Sequence, residues 1–164
     1  MRQRVGIRSI EFKQQEGLRI NGKPYGKVVG VNRHQEFAVL GNAVPNNLQW
    51  RDARKLEDAG ARIVRSAHYV LDPAFMDACD ELGLLAIEPI PGWQFFAKNP
   101  LFISLTHRDV RDMIRRDRNH PSIVMWETTL NESWPPAEWK DGVVKIAHEE
   151  LPGDQCFTSG DSYG

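Results

Sequence analysis

Ser122-Ile-Val-Met-Trp-Glu-Thr-Thr-Leu-Asn-Glu132 decides the reading of this chain. Ile123 to Trp126 is an uninterrupted apolar run behind Pro121, and it gives way abruptly to polar residues ending in Asn131-Glu132. A strand covered on both faces needs such a run, because neither face meets water. A carboxylate at the C-terminal end of that strand stands where α/β folds place their chemistry. Glu132 is therefore the first candidate for a reacting group.

Working outward, the same alternation repeats on both sides. Val28 to Val31 reads as a buried strand ending in Asn32-Arg-His34, followed by a helix from Asn47 to Ala59 that Gly60 stops. Ala61 to Val64 is the next strand, ending in Arg65-Ser-Ala-His-Tyr69. Asp72 then caps a helix with Pro73 at its first position, and Gly83 closes it. Leu84 to Ile87 is a third strand, ending in Glu88-Pro-Ile-Pro-Gly-Trp93. A loop to about Ser104 and a helix to about Arg118 lead into the opening stretch. A helix over about 136–150 and a strand at Gln155 to Ser159 follow it.

Ahead of all this, Val5, Ile7, Ile10 and Phe12 alternate with polar residues like a short half-buried strand. Asn21-Gly22 then marks a tight hairpin, since both residues tolerate positive φ. Strands separated by helices argue a parallel α/β sheet. An open doubly wound sheet and part of a β/α barrel both fit, but no glycine-rich phosphate loop follows the first strand. A complete barrel takes roughly 250 residues, and this chain has 164.

Composition narrows the function. Twenty-one basic against 22 acidic residues give a net charge of −1, so no global field favours nucleic acid or a membrane surface. No segment approaches the roughly 20 apolar residues of a spanning helix, and the N-terminus lacks the apolar core of a signal peptide. Two cysteines make no disulfide framework, and Cys79, at helical spacing from Phe75 and Met76, reads as core.

Seven stretches together resemble glycoside hydrolase family 2, the β-galactosidase and β-glucuronidase family. They are Ile20-Asn-Gly-Lys-Pro24, Gly30-Val-Asn-Arg-His34, Val64-Arg-Ser-Ala-His-Tyr69, Cys79-Asp-Glu-Leu-Gly-Leu-Leu85, Ile90-Pro-Gly-Trp93, Asn119-His-Pro-Ser-Ile-Val-Met-Trp126 and Asn131-Glu132. The resemblance implies the first half of an eight-stranded (β/α)8 barrel, about five strands and four helices after a β-hairpin. Residues 1–12 would be the tail strand of a preceding β-sandwich domain and residues 13–164 the partial barrel. It also implies retaining hydrolysis of β-glycosides, without a cofactor. Glu132 would be the general acid/base and Asn131 the neighbour that bonds the sugar 2-hydroxyl. His34, His68, Arg65 and Trp93 would line the sugar site.

The sequence departs from the family in two places. Pro89 stands where many relatives carry an acidic residue, and Tyr69-Val70 replaces the usual Tyr-Pro. The nucleophilic glutamate is expected on a later strand, so the chain would carry half a catalytic pair and associate through its open sheet edges. Glu127 ends the same strand but is separated from Asn131-Glu132 by Thr128 to Leu130. Asp161 could point into the site from the fifth strand. Arg65 fits a structural ion pair as well as a sugar contact, and Trp126 fits the core better than a sugar platform. Two other functions compete: a metal-dependent barrel hydrolase using His34, His68 and Glu88 or Glu132, and a non-catalytic carbohydrate-binding half-barrel.

Overall fold

The computed structural model describes residues 4–160; Asp161, one of the candidate carboxylates, lies outside them. A three-stranded antiparallel sheet comes first, made of β1 (Ile10–Lys13), β2 (Gly17–Ile20) and β3 (Lys23–Pro24). The β2–β3 turn places Asn21 at φ 51° and Gly22 at φ 72°, the left-handed pair that a two-residue hairpin requires. Alternation had suggested a half-buried strand from Val5 onward. Only the Ile10 end pairs, and Val5, Ile7 and Phe12 are exposed.

A five-stranded parallel sheet follows in chain order: β4 (Gly30–Arg33), β5 (Ile63–Ser66), β6 (Leu85–Pro89), β7 (Ile123–Glu127) and β8 (Phe157–Thr158). Four helices connect the strands: α1 (Asn46–Asp58), α2 (Pro73–Leu82), α3 (Pro100–Asp117) and α4 (Ala137–Glu150). Each strand sends alternate side chains to opposite faces, except that the β6–β7 register shifts between Ala86 and Ile87, which lets Ile123 and Trp126, three residues apart, share one face. On the helix-covered face, Val64, Ala86, Ile123 and Trp126 meet Ala53, Phe75, Met76, Val110, Met113, Ile114 and Val143 in one dry layer. Trp126 is 1% exposed and belongs to this core. On the other face, Leu85 and Val124 pack with Leu18 from the small sheet, which plugs the lower end. This is the first half of a β/α barrel.

The helix boundaries follow local chemistry. Asp72 Oδ1 accepts from Ala74 N at 2.8 Å, Pro73 needs no partner, and Gly83 takes φ 74° at the exit of α2. Asn99-Pro100 repeats that signature, with Asn99 Oδ1 accepting from Leu101 N at 2.8 Å. The helix therefore starts at Pro100, four residues before the expected point. Along α4, Val143 and Ala147 are buried, whereas Val144 faces out.

β4 and β5 sit two residues later than their apolar runs suggest. Their polar ends are in the ladder, with Asn32 opposite Arg65 and Arg33 opposite Ser66. Arg33 is buried towards the helices, where Asp52 and Gln49 accept from its guanidinium and Phe75 lies 4.0 Å beneath. β4 itself is largely exposed, and so are Val29 and Val31, against the expectation of a buried strand. Among the described residues its second edge has no strand partner.

One buried charge system ties the sheet to α3. Glu88 is fully buried; its Oε1 lies 3.4 Å from Arg116, and its Oε2 has no partner among the described residues. Arg116 spends its charge instead on buried Asp117, at 2.6 Å, and on the Leu71 carbonyl at 2.8 Å. Burial, reinforced by the Asp117 charge, holds the Glu88 carboxyl well above the usual glutamate range. The folded protein therefore keeps a proton that the unfolded chain loses above the ordinary carboxylate range, so stability falls as pH rises through that interval. Glu88→Gln, neutral at every pH, should remove this decline. In urea unfolding at pH 5 and pH 8 its advantage over the parent should grow by about 1 kcal/mol or more towards pH 8; an advantage independent of pH would show Glu88 to be charged throughout.

Candidate active site

The C-terminal ends of β5, β6, β7 and β8 surround a cleft of about 400 Å3, lined by Arg65, Ile87, Met125, Glu127, Asn131, Glu132 and residues 158–160. Its floor is an ion pair between neighbouring layers of the rim. Arg65 Nε donates to Glu127 Oε2 at 2.8 Å and Nη2 donates to Oε1 at 2.5 Å, a bidentate fork on a carboxylate only 2% exposed. The same Nη2 reaches Asn131 Oδ1 at 2.7 Å. Its carbonyl oxygen is held there, and Asn131 lines the cleft. Gly160 closes one side because a β-carbon there would collide with the Glu127 carboxylate and crowd Arg65.

Glu132 follows Asn131 in the left-handed region at φ 48°. Its backbone N–H is held by the Gly160 carbonyl at 3.0 Å, and its side chain is exposed to the cleft. The loop after β6 clasps this turn. Trp93 pairs with Asn131 in a parallel bridge, Gln94 N donates to Asn131 O at 2.9 Å, and Gln94 Nε2 donates to Glu132 Oε2 at 2.9 Å.

A row of rings continues the wall across the strand ends. His34 meets His68 edge-on with centroids 5.8 Å apart, and His68 stands 6.1 Å from Trp93, which is half exposed. The Ala67–His68 peptide is cis. His68 lies close enough to Arg65, Glu127, His34 and Glu132 to feel all four charges. Burial and then Arg65 hold its imidazole below the usual histidine range, so it is neutral at pH 7. Its Nδ1 is buried without a partner among the described residues.

The structure thus brings His34, Arg65, His68, Trp93, Asn131 and Glu132 to one rim. It does not bring Glu88 there: that side chain crosses to the helix face and meets Arg116. A metal site built on His34, His68 and Glu88 is therefore not assembled. A grouping of possible metal ligands that is present, Asp77, Asp80 and His120, includes an Asp80–His120 hydrogen bond of 2.7 Å and lies before the start of β7, at the opposite end of the strands. Sequence reasoning set Glu127 aside because three residues separate it from Asn131. Strand parity was the available signal. Trp126 on the core face puts its neighbour on the inner one.

Carboxyl, amide, guanidinium and imidazole groups are thus gathered on the C-terminal rim of a β/α sheet, the face on which β/α barrels carry their sites. Residues 10–149 match the family model described as glycosyl hydrolases family 2, TIM barrel domain. The chain belongs to that family.

Named relatives agree. A β-galactosidase of Thermoanaerobacter pseudethanolicus is 40% identical over 147 residues, which cover 89% of this chain and 20% of that protein. The β-glucuronidase of Sus scrofa is 35% identical over 132 residues, 79% of this chain and 20% of its own. A β-glycosidase structure from Bacteroides vulgatus superposes with a TM-score of 0.82 at 35% identity, over 95% of this chain and 21% of that one. The chain spans about a fifth of the length of these relatives.

The ion pair generates a stability prediction. Removing one member of a buried pair strands the other charge and costs about 3 kcal/mol or more, whereas replacing both with apolar groups is near neutral. Arg65→Met should therefore destabilise strongly in urea unfolding. Arg65→Met combined with Glu127→Leu should recover most of the loss, and additive losses would contradict the coupling.

Proposed function

We propose that this chain carries the acid/base half of a retaining β-glycosidase, with Glu132 as the general acid and base. The observation that supports the reading best is the placement of the Asn131-Glu132 pair at the end of β7, above the Arg65–Glu127 fork, in a member of this family. Retaining hydrolysis uses two carboxyl groups about 5–5.5 Å apart, one giving a proton to the leaving oxygen and one attacking the anomeric carbon. Glu127 is no candidate for the attack, because both its oxygens accept from Arg65. The nucleophile belongs to a later strand, so the chain alone does not turn over substrate.

The other groups have roles consistent with a sugar in the cleft. Asn131 presents its amide donors to a ring hydroxyl, and His34 and neutral His68 offer exchangeable hydrogen-bonding nitrogens. Arg65 acts through Asn131 and Glu127. Trp93 supplies a flat apolar surface for the C–H face of a pyranose. The substrate is a β-glycoside of the galactoside or glucuronide type, the two activities named among the relatives. The chemistry calls for no cofactor. Residues 1–12 lead in from a preceding β-sandwich domain, their last three residues already part of the small sheet through β1.

An assay on the chain alone and on a longer polypeptide that supplies the remaining strands tests this reading. With p-nitrophenyl β-D-galactoside and β-D-glucuronide, the chain alone should be inert and the longer polypeptide active, with the β-anomer released first. Glu132→Ala should lower kcat/KM by about 10²–10⁴-fold, with azide restoring part of the rate on activated substrates. Full activity in Glu132→Ala would overturn the assignment.

The open edges carry a second expectation. β4 exposes unpaired backbone beside Val29 and Val31, a surface that another strand edge can cover. Two chains should associate at these edges, so light scattering at tens of micromolar should give a mass above that of one chain. A clean monomer would refute it.

A further inference from the structure

We propose that Gln94 is the positioning residue of Glu132, fixing which carboxyl oxygen is turned towards the substrate; the proposal rests on the acid/base role argued above. The contact is a hydrogen bond of 2.9 Å from Gln94 Nε2 to Glu132 Oε2. A primary amide nitrogen can only donate, so Oε2 is the acceptor, and Oε1 is the oxygen left free to face a leaving group. Without that donor the two oxygens would be equivalent, and the carboxyl would rotate freely at the exposed rim.

The backbone around the contact is built to hold it. Asn131 N donates to Gly92 O at 3.3 Å, Gln94 N to Asn131 O at 2.9 Å, and Phe95 N to Ser133 Oγ at 3.3 Å. The loop after β6 is thereby strapped, rung by rung, along the turn that presents Glu132. Ser133 is buried and returns a bond to the Phe95 carbonyl at 3.2 Å, which closes the strap below the reacting group.

Both partners of the bond lie in the left-handed region, Gln94 at φ 56° and Glu132 at φ 48°. Among the described residues only two other non-glycine residues share that conformation, Asn21 in a hairpin turn and Val39 in a loop. Such backbone is disfavoured for a residue with a β-carbon and persists where the surroundings enforce it. Here the enforcing contacts are those that aim an amide at a carboxyl. A loop that merely covered the cleft would need neither conformation.

The test is NMR spectroscopy of the protein labelled with 13C at the glutamate carboxyls and 15N at the side-chain amides, at pH 7. Glu132→Gln should displace the Gln94 side-chain amide signals, and Gln94→Leu should displace the Glu132 carboxyl signal. The Trp126 and Trp139 indole N–H signals, both from the helix-side core, should keep their positions in both variants, which separates loss of this contact from general loosening of the fold. A Gln94 amide unmoved by Glu132→Gln, or a Glu132 carboxyl unmoved by Gln94→Leu, overturns the proposal. If Gln94→Leu does not fold, the Glu132→Gln arm decides alone, since it leaves the strap intact. Neither arm needs turnover, so a failure here leaves the hydrolase reading standing, and an inactive enzyme leaves this contact standing.

Discussion

Trp126 and Glu127 are consecutive, yet one is sealed in the driest part of the molecule and the other ends in a cleft. The alternation of a β-strand imposes that division, and the rest of the structure depends on it. Because Trp126 must face the helices, Glu127 must face the barrel interior, where a buried carboxylate is tolerable only with a full partner. Arg65 meets that requirement from two strands away, its own position set by Val64 packing in the helix-side core. The guanidinium then has a donor left for Asn131, and the direction of the Asn131 amide follows. Hydrophobic packing on one face thus fixes hydrogen-bond geometry on the other.

The strap of residues 92–95 solves a different problem. Beyond Glu127 the chain leaves the regular ladder, and an exposed carboxyl at a turn would sample many orientations. Pairing of Trp93 with Asn131 extends the β6–β7 contact past the formal strand ends. Side-chain bonds from Gln94 and Ser133 then immobilise the turn at the cost of two left-handed residues. Precision at the rim comes from local bonds, and precision at the floor comes from the core.

Much of this could be read from the residues alone. The Asn21-Gly22 turn, the Asp72-Pro73 and Gly83 boundaries of α2 and the apolar run of β7 are short-range signals, and each appears where the sequence places it. The strand ends of β4 and β5 were misplaced because apolar runs mark burial, whereas pairing continues through Asn32, Arg33, Arg65 and Ser66. The exposure of β4 depends on what lies beside it and so is not a property of its own residues. Glu127 and Gln94 were missed for a shared reason. Each acts through a partner more than 35 positions away, and no local pattern announces such a pair.

The placement of Glu88 shows how strictly the two faces are separated. It sits at the end of β6, where a carboxylate would ordinarily join the site, but parity sends it to the helix layer. There it faces Asp117, which already holds Arg116, and burial leaves protonation as the way to remain inside without an uncompensated charge. On the cleft face the opposite solution prevails, for Glu127 keeps a bidentate cation to itself. Two buried glutamates on neighbouring strands therefore meet opposite surroundings, a neighbouring acid on the helix face and a bidentate guanidinium on the cleft face. The third, Glu132, is neither buried nor ion-paired, and its carboxyl stands exposed at the cleft with the Gln94 amide as its hydrogen-bond partner.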